Sequence, residues 1–113
     1  MDNCIFCKIV NKEIPGNIAY EDDVILAFHD LEPQAPVHVL IVPKEHIPSL
    51  DEVTFNHTEV MGWLMTKVKD IAAELGLENG YRLVCNCGED GLQTVSHLHF
   101  HLLGKRKMQW PPG

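Results

Sequence analysis

Between positions 97 and 103 the chain reads His97-Leu98-His99-Phe100-His101-Leu102-Leu103. Polar and apolar residues alternate, and a β-strand sends successive side chains to opposite faces. The pattern predicts a strand over 97–103 with Leu98, Phe100 and Leu102 on a core face and His97, His99 and His101 on the other. Rings spaced about 7 Å apart along one face would repel if all were protonated. They make sense as a set of neutral and charged imidazoles that trade protons or bind something. Two chemistries want this arrangement. In one, His-x-His offers two nitrogens to a zinc ion. In the other, a neutral imidazole attacks phosphorus while its neighbours hold phosphate oxygens.

The rest of the chain supplies a scaffold for such a strand. Cys4 to Val10 predicts a short helix capped by Asp2 or Asn3. Ile18–Tyr20 and Val24–His29 read as strands around the Glu21-Asp22-Asp23 corner, and Val37–Val42 is a β-branched run stopped by Pro43. From about Thr54 to Leu75 the spacing is helical, with Val60, Trp63, Leu64, Val68, Ile71 and Leu75 on one stripe and Gly76 after it. Tyr81–Cys87 reads as a strand, Gly88–Thr94 as a loop, and the Pro-rich tail 105–113 as irregular. Three strands, a long helix and two strands imply an α+β domain, an antiparallel sheet with helix on one face. With 113 residues the chain is one domain, 1–113.

Charge and cysteine content narrow the function. Sixteen acidic residues against nine Lys and Arg leave a net charge of −7. An anionic body repels phosphate backbones, which argues against general nucleic-acid binding but leaves room for a small phosphorylated ligand. The first residues carry neither a basic nor an apolar leader pattern, and no apolar run is long enough for a membrane helix. A cytoplasmic location is the expectation. Cys4, Cys7, Cys85 and Cys87 then read as thiols or metal ligands rather than disulfides. Cys4-x-x-Cys7 suits a shared metal, whereas Cys85 and Cys87 read as packing residues on one strand face. Asn86, Gln93 and Thr94 add donors ahead of the histidine strand, and the loop glycines permit backbone N–H groups to turn toward an anion.

The run His97 to Leu103 resembles the signature of the histidine triad (HIT) family, His-φ-His-φ-His-φ-φ. Ile14-Pro15, Tyr20-Glu21-Asp22-Asp23, Ala27-Phe28-His29-Asp30, Pro33-Gln34-Ala35-Pro36-Val37-His38, Val42-Pro43-Lys44, Gly80-Tyr81-Arg82 and Trp110-Pro111-Pro112-Gly113 are similar to its Hint branch, the purine nucleoside phosphoramidases. The likeness covers essentially the whole chain. It implies a five-stranded antiparallel sheet with one long and one short helix, in a homodimer whose sheets join across the two-fold axis. It also implies hydrolysis of purine nucleoside 5′-phosphoramidates, releasing AMP or GMP and an amine. On this resemblance His99 is the nucleophile that carries a nucleotidyl intermediate, and His101, His38 and Thr94 assist. Asn86, Leu92, Gln93 and Thr94 would meet the phosphate, and Asp30 beside Leu31 the ribose. Phe6, Ile9, Ile14, Phe28 and His29 would wall the purine, and Trp110 would reach the leaving group on the partner subunit. No cofactor is implied for the chemistry.

Three positions bear on how far the likeness carries. Leu92 stands where the branch usually has glycine, so a left-handed backbone there would cost about 1 kcal/mol or more. Thr94 replaces a usual serine but keeps the hydroxyl. Cys4-x-x-Cys7 is similar to the pair that holds a structural zinc in some relatives, and the resemblance places His46 and His97 as the other two ligands. Other readings remain: a dinucleoside polyphosphate hydrolase of a sister branch, a zinc-dependent hydrolase using all three histidines, and a nucleotide-binding regulatory or scaffolding protein. Chelation would abolish the zinc-dependent reaction, and turnover of an adenosine phosphoramidate separates an enzyme from a scaffold.

Overall fold

The computed structural model describes residues 3–113. The central strands β2 (Ile25–His29) and β3 (Val37–Pro43) are nearly continuous apolar runs, and such runs must be covered on both faces. With β1 (Ile18–Glu21), β4 (Tyr81–Val84) and β5 (Phe100–Gly104) they make one five-stranded sheet of order β1-β2-β3-β5-β4, every neighbour antiparallel. The α+β reading and the five-stranded antiparallel sheet therefore hold.

Register sorts the side chains. Val39 lies opposite Leu102 and Ile41 opposite Phe100, facing Leu64, Val68, Ile71 and Ala72 of helix α2 (Thr58–Glu74). Leu40 lies opposite His101, which puts His38, His101, Leu26 and Phe28 on the other face. There Phe6 and Ile9 of helix α1 (Ile5–Val10) close a smaller cluster with Leu26, Phe28, Leu40 and Val42. The hairpin between β1 and β2 turns on Asp22, whose Oδ1 accepts the Val24 and Ile25 N–H groups. Its Oδ2 accepts bonds from the Tyr20 hydroxyl and Trp63 Nε1, each at 2.8 Å, and so ties the hairpin to α2.

Several boundaries differ from the sequence expectation. Asp2 lies outside the described residues, and the cap of α1 is Cys4 rather than Asn3: Cys4 Sγ accepts from the Cys7 N–H at 3.3 Å. A 3₁₀ turn, Phe55–His57, leads directly into α2, because Thr54 Oγ1 accepts the Asn56 N–H and the His57 ring accepts the Thr54 N–H. Trp63 is 41% exposed and Val60 half-buried, so the buried stripe is narrower than the periodicity suggests; the indole edge serves Asp22 instead. Gly76 has φ +76 just past the helix end, as a glycine there should.

The paired ladders are shorter than predicted. Strand β4 ends at Val84 rather than Cys87, and β5 begins at Phe100 rather than His97. Alternation survives without the ladder: Leu98 joins the α2-side core, while His97 and His99 contact Phe6 on the opposite side.

Candidate active site

His38, His97 and His99 are the buried polar residues of the described chain. Buried imidazoles need partners for both ring nitrogens, and the partners set the tautomers. The Gln34 N–H donates to His38 Nδ1 at 3.0 Å, so the proton of His38 sits on Nε2. That Nε2–H donates to His101 Nδ1 at 2.9 Å. The proton of His101 is therefore on its Nε2. His99 Nδ1–H donates to the His97 carbonyl at 2.7 Å, leaving a lone pair on His99 Nε2. The rings of His99 and His101 are 5.2 Å apart. A nucleophilic nitrogen and an N–H donor thus sit side by side. Asp30 Oδ2 lies 3.5 Å from His38 Nε2, beside the His38–His101 hydrogen bond.

Burial holds the relay neutral. It lowers the pKa of His38, with Asp30 opposing. Burial followed by repulsion from His99 and His38 pushes His101 down to about 4. A neutral His38–His101 pair can pass a proton without first shedding one.

Beside the rings opens a cavity of about 260 Å³. Phe6, Ile9, Phe28, His29, Asp30, Leu31, Thr94, His99 and His101, all expected at the site, line it. Its lining combines apolar side chains, Phe6 and Phe28 edge-on at 5.4 Å among them, with Asp30 and the imidazoles. Mostly apolar walls with a few convergent polar groups are what a small-molecule site needs.

Other expected residues stand apart. Ile14 packs behind the wall, against the Phe6 and Ile9 cluster, rather than on it. Asn86 is half-buried past the end of β4, outside the cavity lining. Gln93 uses its side chain to hold the loop: Nε2 donates to the Pro48 and Val95 carbonyls and Oε1 accepts the Gly88 N–H. Leu92 has φ +63, so the loop keeps a left-handed backbone at this position, and its N–H donates to the Glu89 carbonyl. Trp110 is 82% exposed on the tail.

Ile5, Pro15, Gly16, Asn17, Leu40 and Val95 also line the cavity and escaped the sequence reading. The Gln34 amide and the Pro43 carbonyl, which fix two ring tautomers, escaped it as well. Backbone groups carry no residue signature. The i,i+4 relation of Ile5 to Ile9 on α1 was the available clue.

A second cluster joins the first. Cys4, Cys7, His46 and His97 bring their donor atoms within 4.8 Å of one another. Cys4 Sγ is 3.3 Å and Cys7 Sγ 3.5 Å from His97 Nδ1, and Cys7 Sγ is 3.2 Å from His46 Nδ1. Tetrahedral zinc with ordinary bond lengths separates sulfur from nitrogen by about 3.5 Å, so the donor set fits that ion. His97 Nε2–H donates to the Pro43 carbonyl at 2.9 Å, which turns the Nδ1 lone pair toward the thiols. Burial and the neighbouring Cys4 push the Cys7 thiol up to about 11. A cation there would supply the charge that makes thiolate ligands favourable.

The family model of the HIT domain matches residues 11–108, and the chain belongs to that family. It is 54% identical over 112 residues to an uncharacterized HIT-like protein of Synechococcus elongatus, covering 99% of this chain and 98% of that one. It is 50% identical over 111 residues to a 14 kDa zinc-binding protein of Zea mays, covering 96% and 87%. The crystal structure of a HIT family hydrolase from Legionella pneumophila Philadelphia 1 superposes with a TM-score of 0.95 at 49% identity, covering 98% of this chain and all of that one.

Proposed function

We infer that the protein is a hydrolase that cleaves the P–N bond of purine nucleoside 5′-phosphoramidates, releasing AMP or GMP and an amine. The observation that carries this reading is the free lone pair of His99 Nε2, set by the 2.7 Å bond from His99 Nδ1 to the His97 carbonyl, at the wall of a half-apolar cavity. The family match and the likeness to a HIT family hydrolase support a nucleotide hydrolase in general. The Hint-like segments narrow the reading to phosphoramidates.

The purine lies between Phe6, Ile9 and Phe28, with His29 beside it, and Asp30 accepts the ribose hydroxyls near Leu31. His99 Nε2 attacks phosphorus. The amine leaves poorly until its nitrogen gains a proton, and the His38–His101 relay lies where a proton can be delivered. His101 Nε2–H and the Thr94 hydroxyl steady the charge that gathers on phosphate oxygens, with each well-aimed donor contributing roughly 3 kcal/mol. Breaking the P–N bond leaves a nucleotidyl group on His99. Water then attacks phosphorus and gives a proton back to the His38–His101 pair, replacing the one passed to the amine; His99 departs as the neutral ring, and AMP or GMP is released. Asn86 and Thr94 are assigned to the phosphate through this bound state, with Leu92 and Gln93 shaping the loop that carries Thr94.

Cys4, Cys7, His46 and His97 would hold a structural zinc ion, and the name of the maize relative supports that assignment. The ion supplies cross-linking of α1 to the chain ahead of β5 and no step of the reaction. We assign the working form as a cytoplasmic homodimer in which Trp110 reaches the partner's leaving-group side.

Single-turnover assays with a tryptamine-type adenosine phosphoramidate test the reading. The wild-type chain forms an acid-labile nucleotidyl adduct, and His99→Ala forms none while still binding AMP. An adduct on another residue of His99→Ala would overturn the assignment. Truncation after Arg106 should change the preference among amine substituents; an unchanged preference refutes the Trp110 role.

A further inference from the structure

Helix α1 has six residues, too few to persist on helical propensity alone. It nevertheless does two jobs. Its cap Cys4 and its buried Cys7 face His46 and His97. Between them in sequence, Phe6 meets the His99 ring edge-on at 5.1 Å, the His97 ring at 6.0 Å and Phe28 at 5.4 Å. Ile5, Phe6 and Ile9 form one wall of the nucleotide cavity. One short element therefore carries both thiols and the apolar wall.

His97 makes a second connection. Its ring faces the thiols through Nδ1 and the Pro43 carbonyl through Nε2, and its carbonyl accepts the His99 Nδ1–H. Whatever fixes the His97 ring fixes the oxygen that holds the nucleophile's tautomer.

We propose that the Cys4–Cys7–His46–His97 cluster is a positioning device for the nucleotide site: a metal ion bound there and a purine nucleotide in the cavity strengthen each other's binding through α1 and the His97 carbonyl. His97 acts here as a positioning residue. The inference rests on both readings above, the metal at these four ligands and the nucleotide beside His99. Linkage requires the coupling to be reciprocal, with one factor in both directions.

The test uses Co²⁺ and AMP on the full chain. Cobalt bound by thiolates has a near-ultraviolet charge-transfer band, which reports the cysteine cluster and not the Asp30, His38 and His101 group. Calorimetry with AMP on the metal-free and the cobalt-loaded chain should show about tenfold tighter binding to the loaded form. Saturating AMP should raise Co²⁺ affinity by the same factor. Phe6→Leu should keep the band while the coupling falls below about twofold.

Equal AMP affinity with and without cobalt, with the band present and AMP bound, would overturn the coupling and leave both readings standing. Absence of the band would overturn it together with the metal reading. Absence of AMP binding in both forms would overturn it together with the nucleotide reading. Loss of the far-ultraviolet circular dichroism signal on metal removal would also overturn it, since the effect would then lie in the whole fold rather than in α1.

Discussion

The sheet has two covered faces built on different terms. On one, α2 lays Leu64, Val68, Ile71 and Ala72 on Ile25, Ala27, Val39, Ile41, Phe100 and Leu102, with no charged group among them. On the other, the six-residue α1 contributes Phe6, Cys7 and Ile9 beside three histidine rings and a cavity. The first face is stabilised by transfer of apolar area from water, about 25 cal/mol per Å². The second gives up apolar area to polar groups that each need a partner. The α2 face can therefore carry the fold while the α1 face carries the chemistry, and damage to the two should separate.

The largest expected effect is on rate. His99→Ala should lower turnover by about 10⁴-fold or more while shifting the melting temperature little. Leu64→Ala should do the reverse. Leu64 is fully buried, and truncating it should cost about 3 kcal/mol, read by urea unfolding, with turnover per folded molecule preserved. Equal loss of stability from both variants would erase the proposed division between the faces.

Acid should reveal the cost of burying imidazoles. His101 has a folded pKa near 4, lowered from 6.5 by burial and then by its histidine neighbours. The unfolded chain therefore binds the proton first. Stability is full above about pH 6.5 and falls as the pH drops toward 4, by an amount on the order of 2 kcal/mol from this group. Melting followed across that window should show the decline, and His101→Asn should lessen it, with the buried His38 contributing the rest. An unchanged slope in the variant would place the acid sensitivity elsewhere.

The smallest effect concerns the loop ahead of the histidine strand. Leu92 is 72% exposed and holds φ +63, so its side chain gains little packing for a strained backbone. Leu92→Gly should raise stability by about 0.5 kcal/mol. A loss instead would mean that this leucine packs on something in the working assembly.

The alternation over 97–103 was readable because sheet geometry turns every second side chain the same way, even where His97 and His99 lie ahead of the paired ladder. The long helix was readable from its period, apart from Trp63, which leaves the buried stripe to bond Asp22 on the distant β1–β2 hairpin. Gln93 looked like a phosphate donor by composition, yet its amide is spent on Pro48, Val95 and Gly88. No local rule distinguishes a donor aimed at a ligand from one closing its own loop.

Residue order alone determined which groups share a face, because strand and helix periods are local consequences of backbone sterics. It also supplied the chemical inventory of imidazoles, thiols and one carboxylate at Asp30. Only the tertiary structure decided the protonation pattern: the Pro43 carbonyl sets the His97 tautomer from 54 residues away, and the Gln34 amide and the His97 carbonyl set those of His38 and His99 through local bends of the chain. Those partners are backbone groups that every residue type carries, so their identity depends on where the chain folds back and not on which side chains it bears.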